Sequence, residues 1–248
     1  EEEAKRLLNL FMKFVDKIVD INPDICTLND FCEIYFKDYA PNLLAEECVY
    51  NYSRALTNWV LPKIGETTLT NCTSDFFKSY FKWLSNQISP ETHEPLSIGS
   101  REKIFGIISS VFSCATQWNI LKVNPLKAAR PEEFKRKNKL KQSKDKQRCL
   151  TLEESKRLIK ELNNVDLKYQ IITQIALIGG LRRSEILGLK WIDVDFKNSC
   201  IYINQSSIFV PKKGYVVGDL KTETSERTVS LPRVTMLLLL EYKIKSEN

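Results

Sequence analysis

The sequence is poor in residues that interrupt regular structure, with eight glycines and nine prolines in 248 residues. These two types make up about 7% of the chain, below the roughly 12% of an average protein. Their shortage predicts long regular elements, and apolar residues at helical spacing predict that most are helices. Runs of 18 apolar residues are also missing, and the longest apolar block near the end covers only 236–240. We therefore predict no transmembrane span.

Histidine is almost absent, because His93 is the only one, and the seven cysteines include no C-x-x-C pair. A zinc site needs several such ligands at close spacing, so we predict neither a metal site nor a cofactor. An odd number of unpaired cysteines is typical of reduced thiols in a cytoplasmic protein.

The net charge of +6 is concentrated in one segment, FKRKNKLKQSKDKQR at 134–148. This segment holds eight Lys or Arg residues and one Asp, so the rest of the chain is close to neutral. A solvated linker kept extended by self-repulsion is one interpretation. A cationic strap that binds a polyanion through counterion release is the other, and the two are compatible.

Apolar periodicity and capping signals predict a helical first half. Thr27 and Asp30 form a possible capping box, and Pro41 is expected to end the helix that they begin. Pro62 and Gly65 predict an irregular segment over 59–73. The predicted helices cover 3–20, 27–39, 44–60, 74–88 and 98–118. The aromatic residues at 76–83 are interpreted as core rather than as platforms for stacking bases.

The second half combines helices with short strands. Thr151 and Glu154 predict a capped helix over 152–163, and the apolar segment 166–178 predicts a buried helix that ends at Gly179-Gly180. A short helix is expected at 182–189 and a final helix from Pro232 to about 246. Between them, 199–204, 207–210, 215–220 and 226–231 predict a small antiparallel sheet or hairpin. The fold class is therefore mainly α with a small antiparallel β-sheet.

Two motifs contain candidate functional residues. In GGLRRSEILGLKW (179–191), helical spacing places Arg182 on the same inward face as Glu185, so its guanidinium needs a partner. A salt bridge to Glu185 and a bound phosphate are both possible. In GDLKTETSERTVSLP (218–232), Lys221 and Arg227 flank a hairpin tip that could enter a DNA groove or be an ordinary charged turn.

The order of these features resembles the tyrosine recombinase family, the phage and transposon integrases. The helical bundle, the basic linker, the buried helix, GLRRSE and KTxxSxRxVxLP follow one another as in that family, over about residues 24–240. WVLPKIGETTLTN (59–71) and SVFSCATQWNILKVNPL (110–126) are also similar to its first domain. The resemblance implies a core-binding SAM-like domain at 23–131, a linker at 132–149 and part of a mixed α+β catalytic domain at 150–248. The helix within 1–22 would be the segment by which the chain exits a preceding arm-binding domain.

The resemblance also implies roles for individual residues. Arg182 would hold the scissile phosphate, Glu185 would support that arginine, and Lys221 would protonate the leaving 5′ oxygen. The partner would be double-stranded DNA at attachment or core sites, bound by a tetramer in a bacterial or phage-infected cell, with no small-molecule substrate. The expected DNA-binding residues are Lys135, Arg136, Lys137, Lys139, Lys141, Lys144, Lys146, Arg54, Arg101, Lys103 and Arg227.

The family's His-x-x-Arg box and tyrosine nucleophile should follow the hairpin lysine. No histidine occurs after Lys221, and Tyr242 comes too early to be the nucleophile. We therefore expect a truncated integrase that binds DNA without cleaving it, with an exposed apolar patch at Leu237–Leu240. The alternatives are a non-catalytic DNA-binding module of the same fold and, more distantly, a helical protein–protein adaptor.

Overall fold

The computed structural model describes residues 21–90, 92–134, 149–218 and 225–247. The chain divides into two compact units, Glu1–Lys146 and Gln147–Asn248. The described part is mainly helical with small antiparallel sheets, which confirms the predicted fold class. The predicted helix at 3–20 lies outside the described residues. None of the described helices is long and apolar enough to cross a membrane.

The first unit begins with a capped helix. In α1 (Leu28–Ile34), the Oγ1 of Thr27 accepts from the Asp30 amide at 3.2 Å, and Asp30 accepts from the Thr27 amide at 3.0 Å. This reciprocal pair is the predicted capping box. The remaining helices of this unit are α2 (Ala40–Leu43), α3 (Glu46–Ala55), α4 (Leu61–Ile64), α5 (Ser74–Leu84), α6 (Ile98–Gln117) and α7 (Leu126–Ala129), with 3-10 turns at Leu69–Asn71 and Glu132–Phe134.

Two prolines that were expected to end or break helices do neither. A π-helical turn, Tyr35–Tyr39, joins α1 to α2, and a second, Leu56–Val60, joins α3 to α4. In each, an amide bonds to the carbonyl five residues earlier, from Ala40 to Tyr35 and from Leu61 to Leu56. A proline follows each of these amides, and its ring would clash with a carbonyl in a regular α-helix. The wider turn lets the chain stay helical through Pro41 and Pro62, so the predicted break at 59–73 is wrong over 61–64.

The core of the first unit is rich in aromatic side chains. Phe77 is fully buried, and its ring meets that of Phe112 edge to face at 5.1 Å between centroids. Tyr80 is buried with its hydroxyl donating to the Trp59 carbonyl at 3.0 Å. Phe76 and Trp83 lie at the edge of the same cluster. The interpretation of these aromatic residues as core is confirmed.

The second unit places helices around two small sheets. Its helices are α8 (Leu152–Leu162), α9 (Leu167–Gly179), α10 (Arg183–Gly188) and α11 (Arg233–Glu247), with a 3-10 turn at Trp191–Asp193. β1 (Val194–Asp195), β2 (Cys200–Ile203) and β5 (Arg227–Ser230) form an antiparallel sheet in the order β1-β2-β5. β3 (Ser206–Val210) and β4 (Gly214–Gly218) form a separate hairpin. The capping box of Thr151 and Glu154 starts α8 as predicted.

Helix α9 is less buried than its apolar sequence predicts. Ile171 and Ile175 lie in the core, but Ile172 and Ile178 are 43% and 42% exposed. The neighbouring helices of the unit cover only one face of α9. Similarly, Leu239 is buried in α11 while Leu237 and Leu240 are exposed, so the predicted apolar patch is confirmed only in part.

Alanine substitution of two glycines tests the backbone conformation, and the two substitutions should change the free energy of unfolding in opposite directions. Gly180 ends α9 in the left-handed region with φ 63°, where an alanine is strained even though a Cβ would meet no atom within 4 Å. Gly106 lies inside α6, also with open space for a Cβ. Gly180→Ala should lower the free energy of unfolding of its unit by about 1 kcal/mol, and Gly106→Ala should raise that of its own unit by about 0.5–1 kcal/mol. Thermal denaturation measures both, and a stabilising Gly180→Ala would contradict the assigned turn.

Candidate phosphate-binding site

The candidate site is built where the chain turns from α9 into α10. Gly180 ends α9, Leu181 inserts into the core, and Arg182 takes an extended backbone as the N-cap of α10. The helix that follows packs closely on β3, because Gly188 has no side chain. A Cβ at Gly188 would lie 3.0 Å from the backbone of Ser206. The side-chain amide of Gln205 also donates to the Gly188 carbonyl.

Glu185 is the buried centre of this site, with only 2% of its surface exposed. It is the third residue of α10, so its carboxylate turns back toward the helix start. One oxygen accepts from the Arg182 amide at 2.9 Å, and the other accepts from the Arg182 guanidinium at 2.7 Å. The carboxylate therefore fixes both the backbone and the side chain of Arg182.

Arg227, the first residue of β5, binds the same carboxylate from the other side. Its Nη1 donates to Oε1 of Glu185 at 3.2 Å and its Nη2 donates to Oε2 at 2.8 Å. Nη1 also donates to the Ser225 carbonyl at 3.1 Å. Arg182, Glu185 and Arg227 thus form a group that we call the Arg–Glu–Arg cluster. A buried carboxylate between two guanidinium groups is fully satisfied in hydrogen bonds.

The cluster strongly favours the charged form of Glu185. The hydrogen bond from Arg227 is the largest cause, and the bonds from the amide and guanidinium of Arg182 add to it. Burial opposes them, yet the pKa of Glu185 is lowered to about 2. Conversely, the bond to Glu185 raises the pKa of Arg227.

Arg182 does not face inward as helical spacing predicted, because it precedes the helix rather than lying within it. Its side chain is 71% exposed, and its Nη1 donates a hydrogen bond to Glu185. The inward residue is Glu185. One terminal nitrogen of the guanidinium is therefore held by Glu185 while the side chain stays largely exposed, which is a suitable arrangement for hydrogen bonds to an oxyanion such as a phosphate.

Arg227 was predicted to bind DNA, and the structure shows its guanidinium bound to acceptors of the protein itself. Its side chain is only 32% exposed, and Glu185 and Ser225 accept from its guanidinium. Arg101 was also predicted to bind DNA, and its side chain is 11% exposed, pairs with Glu133 at 2.6 Å and donates to the Leu96 carbonyl. Arg54 and Lys103 lie at the surface of the first unit. We assign no DNA contact to Arg227 or Arg101.

Several predicted site residues lie outside the described residues. These are the hairpin lysine and the basic segment: Lys221, Lys135, Arg136, Lys137, Lys139, Lys141, Lys144 and Lys146. Their proposed roles therefore stay predictions.

Sequence reasoning missed the contact between Arg227 and Glu185. A signal was available, because a glutamate at the third helical position of a buried helix start is oriented inward and needs cationic partners. Local spacing supplies Arg182 but gives no reason to choose Arg227, which is 42 residues away.

Comparison with known proteins places both units in one family. The family model described as "Phage integrase family" matches residues 148–246, and "Phage integrase, N-terminal SAM-like domain" matches residues 27–74. The shufflon-specific DNA recombinase of Escherichia coli is 27% identical over 121 residues, covering 48% of this chain and 29% of that protein. The ICEBs1 integrase of Bacillus subtilis is 29% identical over 152 residues, covering 61% and 39%.

Solved structures show the same fold at low sequence identity. The Tn1549 transposon integrase in complex with a circular intermediate DNA is 16% identical with a TM-score of 0.66, covering 87% of this chain and 64% of that one. A lambda integrase dimer bound to a core site is also 16% identical, with a TM-score of 0.54 and coverages of 87% and 53%. The chain thus spans less than two thirds of the length of these relatives. With both integrase models matched in order and the fold shared, both units of the chain match the phage integrase family.

Proposed function

We propose that this chain binds double-stranded DNA as part of a site-specific recombinase, an integrase of a phage or mobile element. In the complete protein, the activity would be cleavage and rejoining of DNA strands through a phosphotyrosine. The observation that carries the proposal is the exposed guanidinium of Arg182 held on the buried Glu185. The match to the phage integrase family and the DNA-bound state of the Tn1549 and lambda integrases support it.

The chemistry of phosphoryl transfer explains the residue types. Negative charge grows on the non-bridging oxygens during transfer, so a fixed guanidinium that donates two hydrogen bonds stabilises it. Glu185 holds Arg182 in place before the phosphate arrives, which reduces the cost of ordering a long side chain. Lys221 is proposed as the acid that protonates the leaving 5′ oxygen.

The proposed DNA contacts outside the cluster are electrostatic. The basic segment, Lys135 to Lys146, would follow the phosphate backbone as a strap between a core-binding domain at 23–131 and a partial catalytic domain at 150–248. Arg54 and Lys103 would add backbone contacts from the first domain. Such contacts give affinity that falls as salt rises, without sequence selectivity. Assembly of four protomers on DNA is also proposed, because a lambda integrase tetramer bound to a Holliday junction shares the fold, with a TM-score of 0.53.

Arg182→Gln tests the proposed phosphate contact. We expect the affinity for a mixed-sequence duplex to fall by about tenfold, as for the loss of one charged hydrogen bond. The slope of log K against log salt should become shallower by about 0.9. Fluorescence anisotropy over a salt series measures both quantities.

Arg157→Gln is the matched control, since it removes the same charge from an exposed position on α8. It should change the affinity much less than Arg182→Gln. Equal effects of the two variants would show that only the net charge matters, and Arg182 would lose its proposed role. DNA affinity that does not depend on salt would contradict the proposed function as a whole.

A further inference from the structure

We propose that Arg227 is a positioning residue whose charge neutralises Glu185 and thereby leaves the charge of Arg182 available to a DNA phosphate. The inference rests on the proposed function, because it assigns Arg227 a role in the phosphate site without a contact to DNA. It replaces the direct DNA contact that the sequence predicted for Arg227.

The charges of the Arg–Glu–Arg cluster support this assignment. Arg182 and Glu185 alone would form a neutral pair, and a neutral pair offers little attraction to a phosphate. Arg227 adds a second cation, so the cluster carries one net positive charge. That excess charge lies on the exposed side, because Arg182 is 71% exposed and Arg227 only 32%.

The hydrogen bonds also show that Arg227 is held by the protein more completely than Arg182. Arg227 donates to both oxygens of Glu185 and to the Ser225 carbonyl, so protein acceptors hold its guanidinium. Among the residues that the structure describes, the Arg182 side chain donates only to Oε1 of Glu185, with Nη1. A bidentate pair is the stronger of these arrangements. Arg227 is therefore the main partner of Glu185, while the Arg182 side chain stays 71% exposed.

The decisive test compares Arg227→Gln with the double variant Glu185→Gln, Arg227→Gln. The single variant makes the cluster neutral and should weaken binding to a mixed-sequence duplex by about tenfold, like the loss of Arg182 itself. The double variant removes one charge of each sign, so the cluster regains its net positive charge and the protein regains its original net charge. We expect most of the affinity to return. A role of Arg227 in folding alone predicts instead that Arg227→Gln binds DNA with wild-type affinity wherever circular dichroism shows it to be folded.

Two further variants separate charge from geometry. Arg227→Lys keeps the cation but loses the two-pronged bond, so its affinity should fall between those of the wild type and Arg227→Gln. Arg157→Gln removes one exposed charge, as Arg227→Gln removes one from the cluster, and should have little effect. Circular dichroism at the assay temperature confirms that each variant is folded.

The pH dependence of binding gives an independent readout. Among the described residues, Arg182 at the start of α10 and Arg227 at the start of β5 are the charged groups that act on Glu185. Arg227 is the larger influence, so Arg227→Gln should raise the pKa of the buried Glu185 carboxyl. Protonation of Glu185 at acidic pH would then remove its charge and free Arg182. On acidification from neutral pH, the affinity of Arg227→Gln should rise relative to that of the wild type, because the wild-type Glu185 stays ionised.

The outcomes distinguish this inference from the proposed function. If Arg182→Gln weakens binding but the double variant does no better than Arg227→Gln, the inference is overturned and the proposed function stands. An Arg227→Gln variant with wild-type affinity would also overturn it. If Arg182→Gln leaves DNA affinity unchanged, the proposed phosphate contact fails first, and the role inferred for Arg227 fails with it.

Discussion

Replacing Glu185 with glutamine is expected to lower the free energy of unfolding of the 147–248 unit by about 3 kcal/mol at neutral pH. Its carboxylate is 2% exposed and accepts four hydrogen bonds from Arg182 and Arg227. A neutral amide cannot compensate two guanidinium groups, and it offers only one acceptor oxygen. The two arginines would be left facing each other without the anion between them.

The pH dependence of stability checks the same prediction. Because the pKa of Glu185 in the folded chain is lowered to about 2, its contribution is present above the unfolded pKa near 4.5. It is lost as the pH falls from there toward 2. The wild type should therefore lose stability in this window, while Glu185→Gln should lack this component of the loss.

Hydrogen exchange in increasing denaturant measures this stability on peptides from α10 and β5. Glu153→Gln is a suitable control in the same unit, since Glu153 is 82% exposed and forms a surface pair with Lys156. Its cost should be below about 0.5 kcal/mol. Similar losses in the two variants would mean that the cluster contributes no more than an ordinary surface ion pair.

In the first unit, Phe77→Ala is expected to cost about 4 kcal/mol of unfolding free energy. Phe77 is fully buried and packs edge to face on Phe112, with the Phe76 and Phe81 rings on either side. Truncation leaves a cavity between α5 and α6, and the surrounding side chains can fill it only in part.

Phe76→Ala provides the comparison at the adjacent position. Phe76 belongs to the same helix and the same residue type, but it is only partly buried at the edge of the core. We expect its cost to be clearly smaller, as read by hydrogen exchange on peptides from α6. Equal costs for Phe76 and Phe77 would contradict the orientation of α5.

The features that sequence predicted well depend on short-range chemistry. Thr27 with Asp30 and Thr151 with Glu154 start helices because a capping box needs only residues three apart. Gly180 ends α9 because a left-handed residue is required there. Period-two patterns also located the ends of β2, β3, β4 and β5 to within two residues.

The features that sequence missed depend on partners far along the chain. Ile172 and Ile178 are as apolar as Ile171 and Ile175, and only the packing of the unit decides which pair is buried. At the site, the spacing of Arg182 and Glu185 left a salt bridge and a phosphate both open, and the structure shows the salt bridge. Arg227 joins it through the pairing of β5 with β2, which fixes where that strand begins.

The two π-helical turns constrain the length of the helices that contain them. Tyr35, at the start of the first turn, and Ala40, directly after it, are both buried. Leu56 and Ile64 are likewise buried around the second turn, and each turn holds one residue more than a regular α-helical turn. Deleting one residue would convert each turn into regular α-helix, in which the ring of Pro41 or Pro62 would clash with a carbonyl of the preceding turn. Single-residue deletions should therefore be rare at 35–39 and 56–60 among close relatives that keep these prolines.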